Sequence, residues 1–67
     1  MTYEQIRSRM LVGDYELVAK MLKISRDNAR QRLSRRKEDV LFALQEIIKN
    51  REKLIKNFQS KNQILKN

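Results

Sequence analysis

The chain of 67 residues contains no proline and a single glycine, Gly13. The two residue types that most readily end a helix are therefore almost missing. With Gln, Lys, Arg, Leu and Glu abundant, the expectation is an all-α protein whose breaks come from caps and corners. Thr2 and Gln5 have the spacing of a capping box and open a helix over Tyr3–Val12, with Tyr3, Ile6 and Met10 on its inner face. Gly13 is the expected left-handed stop, and Asp14 the expected cap of a second helix over Tyr15–Leu22. A corner, Lys23–Ile24–Ser25, leads to a third helix capped by Ser25 and running from Arg26 to about Arg35. Val18, Ala19 and Leu22 make one apolar face of the second helix, and Ala29 and Leu33 that of the third. The small Ala19 and Ala29 let the two axes approach closely.

After Leu33 the chain has no breaker at all. Either Ser34 caps a separate fourth helix, helped by Glu38 and Asp39 in its first turns, or the third helix bends into it. Val40, Leu44, Ile47, Leu54, Phe58 and Leu65 follow steps of three and four, and Leu41, Ile48 and Ile55 add a flanking row. The predicted architecture is thus three short helices forming a head over residues 1–37. One long amphipathic helix follows over 38–67, its Gln/Asn/Lys-rich end frayed beyond about Asn57. From Glu38 to Ile64 that helix spans roughly 40 Å, far more than helices of eight to ten residues can cover. Its uncovered part predicts a homodimer with Leu44, Ile47, Ile48, Leu54, Ile55 and Phe58 at the interface. Arg51, which interrupts the stripe, could pair with Glu46 or Glu52 across an antiparallel seam; a parallel seam is the alternative.

Charge is gathered rather than mixed. Of a net +8, residues 23–37 hold seven Lys and Arg against one Asp, while residues 1–22 balance. Such clustering favours a polyanion partner, usually nucleic acid. A chain this short buries only about 60% of its unfolded surface, and with neither cysteine nor histidine it has no disulfide and no ordinary zinc ligands to compensate. No apolar run approaches the roughly 20 residues of a membrane span, and the first residues lack the apolar h-region expected of a secretory leader. The expectation is a soluble, cytoplasmic protein without cofactor, metal or small-molecule ligand. Catalysis is not expected either: there is no nucleophile–base pair, no Gly-rich phosphate loop, and the carboxylates are scattered.

The segment VAKMLKISRDNARQRL resembles the helix-turn-helix core of small bacterial and phage regulators of the repressor, Cro-like kind. The likeness rests on Ala19 in the first helix, Leu22 and Ile24 about the corner, Ser25-Arg26 opening the second helix, and Ala29 and Leu33 within it. Lys23 stands where that family usually has glycine, and Arg32 near a position that is usually apolar. The resemblance implies sequence-specific binding of double-stranded DNA by a dimeric transcriptional regulator, with Arg26, Asp27, Arg30 and Gln31 touching bases. Helical geometry alone, with Ala29 and Leu33 inward, points Asp27, Gln31 and Ser34 outward and keeps Arg26 nearer the core. Lys23, Ser25, Asn28, Arg35, Arg36 and Lys37 are candidates for phosphate contacts, which set register without reading sequence. Other readings are an excisionase-like accessory protein of a mobile element and a helical interaction adaptor. RNA binding through the Arg-rich segment would lack interleaved aromatics for base stacking.

Overall fold

The computed structural model describes the backbone of residues 1–66 and the side chains of residues 1–61. The protein is all-α, with α1 over Tyr3–Arg9, α2 over Asp14–Leu22, α3 over Arg26–Ser34 and a long α4 over Glu38–Lys66. Among the described residues, no helix is long and apolar enough to cross a membrane.

The capping box forms as its spacing requires: Gln5 N–H donates to Thr2 Oγ1 at 3.1 Å, and Thr2 N–H to Gln5 Oε1 at 2.9 Å. α1 ends at Arg9 rather than Val12. Leu11 N–H donates to an Asp14 carboxylate oxygen at 2.8 Å, and Leu11 and Val12 are exposed, so no burial rewards a further turn. Gly13 is not the left-handed stop: its φ is −65° and ψ −14°, and an added Cβ would meet nothing within 4 Å. Nor is Asp14 a cap. It is the first residue of α2, only 2% exposed, and its carboxylate is held by Arg51 Nη1 at 2.8 and 3.1 Å. Arg51 Nη2 also donates to the Arg9 carbonyl at 2.9 Å. The residue expected at an intermolecular seam thus closes an intramolecular lock between α4 and the α1–α2 turn.

The left-handed positions lie elsewhere. Lys23 (φ 56°) ends α2, with Ile24 N–H donating to the Ala19 carbonyl at 2.9 Å. Arg36 (φ 55°) does the same after α3, with Lys37 N–H donating to the Arg32 carbonyl at 2.9 Å. Both are Schellman-type endings. Ser34 is therefore the last residue of α3 and not a cap, and Arg35–Lys37 turn the chain into α4. Glu38 and Asp39 place negative charge at that helix's N-terminus, where the macrodipole favours it.

The core consists of Ile6, Val18, Ala29, Leu33, Val40, Ala43, Leu44 and Ile48. Half of these come from α4, which packs on α1, α2 and α3 alike, so the folded unit runs past residue 37. Leu44 and Ile48 are completely buried within their own chain and cannot serve a dimer interface. Ile47 is partly buried against the same core, whereas Leu54, Ile55 and Phe58 are exposed. Leu65 lies outside the described side chains. Replacing Arg51 with alanine should leave the Asp14 carboxylate buried and short of its cation. Because Arg51 is itself partly exposed, the usual cost of a broken buried pair, about 3–5 kcal/mol, is reduced to about 2–4 kcal/mol. Urea unfolding of Arg51→Ala monitored by circular dichroism would measure it.

Candidate nucleic-acid interface

The polar surface of α3 follows from how that helix is anchored. Ala29 and Leu33 are buried, Ser25 Oγ accepts from Asn28 N–H at 3.0 Å, and the helix packs on α2 and α4. A 100° step per residue then turns Asp27, Gln31 and Ser34 away from the core. With Arg30, these three border one shallow depression open to solvent. A second cleft, of about 620 Å³, lies between α3 and the start of α4, and Gln31, Arg35 and Lys37 are among its lining residues. Gln31 borders both.

The four residues placed at base edges divide between two flanks. Asp27 and Gln31 stand on the outward face. Arg26 leans towards α2, where its guanidinium meets Glu16 at 3.7 Å, and Arg30 lies over the Tyr15 ring at 5.7 Å. Both arginines are exposed, so such contacts are weak and orient the side chains more than they hold them. Among the phosphate candidates, Lys23 is exposed in the corner and Arg35 and Lys37 line the cleft. The Ser25 oxygen serves as the α3 cap, and Asn28 Oδ1 accepts from Arg32 Nε at 3.2 Å. Arg36 turns towards α1 instead, its guanidinium 4.3 Å from the Tyr3 ring centroid, and it does not border the cleft.

No protein-family model, curated protein or solved structure matches the chain. The site must therefore be read from its own groups.

Two residues, Arg32 and Tyr15, matter here through partners that spacing along the chain did not reveal. Arg32, at a position where an apolar residue was expected, reaches Asp39 at 2.6 Å and joins α3 to α4. Tyr15 lies under Arg30, and its hydroxyl accepts from Arg7 Nη1 at 3.3 Å. These contacts cross between helices, so periodicity within one helix carries no trace of them. Among the described residues no group of three or more His, Cys, Asp or Glu side chains converges on a metal site. What the surface offers is hydrogen bonding in a cationic field. An Arg can bond guanine in a bidentate way, a Gln adenine, and an Asp can accept from cytosine.

The geometry of the corner yields a test that needs no ligand. A non-glycine residue in the left-handed region costs about 1–2 kcal/mol, against which glycine loses about 0.5–1 kcal/mol more backbone entropy on folding. Lys23→Gly should therefore stabilise the protein by several tenths of a kcal/mol to about 1 kcal/mol, a rise of roughly 2–6 °C in Tm. A thermal scan of the two proteins decides it; a lowered Tm would mean that the Lys23 side chain contributes more than its backbone strain costs.

Proposed function

We propose that this chain is a small helix-turn-helix DNA-binding protein, a transcriptional regulator of the repressor type that acts as a homodimer. α2 braces α3, and α3 enters the major groove of double-stranded DNA. The observation that carries the reading is the α2–corner–α3 hairpin, with an unobstructed outward face of Asp27, Arg30, Gln31 and Ser34 beside the exposed Lys23, Arg35 and Lys37. A polar face with bidentate donors and acceptors suits base edges, and cations on either side suit the phosphates that flank a groove. Seven Lys and Arg within residues 23–37 supply the attraction that makes such binding strong at low salt. In this reading Gln31 and Asp27 contact bases, Arg30 is steered by Tyr15, and Lys23, Arg35 and Lys37 sit on the backbone. Arg36 is left out of the phosphate set because Tyr3 engages it. Two heads related by a twofold axis would read a palindrome with half-sites about 34 Å apart.

Selection from random-sequence duplexes, followed by footprinting on the enriched sites, tests this directly. The expected result is a palindromic site whose affinity falls steeply with salt, log Kd changing by about 0.9 per log unit of salt for each phosphate neutralised. Gln31→Ala should cost about 1–3 kcal/mol of discrimination at one base position and leave the helical circular dichroism unchanged. No enriched sequence and no protected stretch at low ionic strength would overturn the assignment.

A further inference from the structure

Beyond Arg51, α4 leaves the head. Its backbone continues to Lys66, roughly 22 Å further, and the described side chains from Glu52 to Lys61 are all exposed. Leu54 is 70% exposed, Ile55 50% and Phe58 67%, and the three border one apolar depression. A second exposed pair lies close by. Arg51 holds the Arg9 carbonyl and Asp14, and Glu52 meets Arg9 at 3.6 Å, so the turn between α1 and α2 is fixed against α4 just before Leu54. That turn carries Leu11, 58% exposed, and Val12, 73% exposed. Leu11 and Val12 border a depression of their own with Arg7, Met10 and Tyr15, so the turn and the free helix end offer two neighbouring apolar surfaces, together called the corner below.

We propose that this corner is the docking surface for a second copy of the chain, each free helix end lying in the other's corner. The idea rests on the reading of two paired heads and moves the pairing surface away from Leu44 and Ile48. Area supports it. An apolar side chain of this size covers roughly 60–120 Å² on burial, so five per chain give about 600–1,200 Å² for two chains. At about 65% apolar, as in homodimer interfaces, the whole interface would be about 900–1,800 Å². That range meets the roughly 1,200–2,000 Å² of a stable complex. Shape supports it too. The projecting helix and the exposed turn belong to one chain, so a single twofold rotation can lay each helix end on the other's turn, giving a closed isologous pair. The Arg51–Asp14 lock blocks the α4 face above it, so the two helices cross at their free ends and do not run side by side along the head.

Two copies each carry +8, so they repel, and apolar contact must hold them together. Dimerisation should accordingly strengthen as salt rises, whereas DNA binding weakens. Sedimentation of the full chain without DNA tests the corner independently of the DNA reading. The expected result is a dimer at concentrations on the order of 10 μM, favoured at higher salt. Phe58→Asp and Val12→Asp should each weaken it about 30-fold or more, with helical circular dichroism unchanged because both side chains are exposed. Three results would overturn the proposal. One is a chain that stays monomeric in high salt, as it would if the corner served an acidic foreign partner. Another is a dimer that weakens with salt. The third is a dimer that Val12→Asp leaves intact, which would confine pairing to α4 alone.

Discussion

Arg51 sits where the long helix could either continue to cover the head or depart from it, and its guanidinium settles which. Bonded to both oxygens of a carboxylate that is almost fully buried, and to the Arg9 carbonyl, it fixes the α1–α2 turn and the start of α2 to one level of α4. Above that level the apolar face of α4 is consumed by Val18, Ala29, Leu33 and their neighbours; below it the same face is bare. A buried ion pair of this kind is no guarantee of stability, since desolvating two charges costs nearly as much as their attraction returns. What it supplies here is register. With Asp14 unable to tolerate loss of its cation, α4 cannot slide along the head, and the outward polar face of α3 keeps one orientation relative to the free helix end.

The two corners of the chain are built by one device. Both α2 and α3 end with a basic residue in the left-handed region, Lys23 after α2 and Arg36 after α3, and each ending ties back a carbonyl of the last turn. Glycine would be the easier choice at both positions. At Arg36 the side chain offers something in exchange, a cation–π contact with Tyr3 that adds a weak tie between α1 and the α3–α4 link. Lys23 has no such contact among the described residues, and its charge extends the cationic surface of α3 around the corner. Strain and electrostatics thus meet at the place where the proposed function needs positive charge.

Much of the head was legible in the sequence because its determinants are local. The Thr2–Gln5 capping box, the Ser25 cap and the inward Ala29 and Leu33 depend on neighbours three or four residues away, and so on side chains that one helix can bring together. The outward direction of Asp27 and Gln31 follows from the same periodicity. The partners of Arg26, Arg30 and Arg36 do not. Glu16, Tyr15 and Tyr3 belong to other helices, and only packing decides which arginine reaches them and which stays free for a ligand.

The chain by itself determined that the protein would be helical, that four segments would form, and that positive charge would gather on the third, since each follows from composition and from spacings shorter than two turns. Only the tertiary structure decided that Gly13 is an ordinary right-handed residue, that Asp14 and Arg51 find one another across the fold, and that Leu44 and Ile48 belong inside while Leu54, Ile55 and Phe58 do not. An apolar stripe reads the same along its whole length. Which part of it is covered depends on how far the rest of the chain can reach, a matter of three-dimensional packing that no repeat spacing encodes.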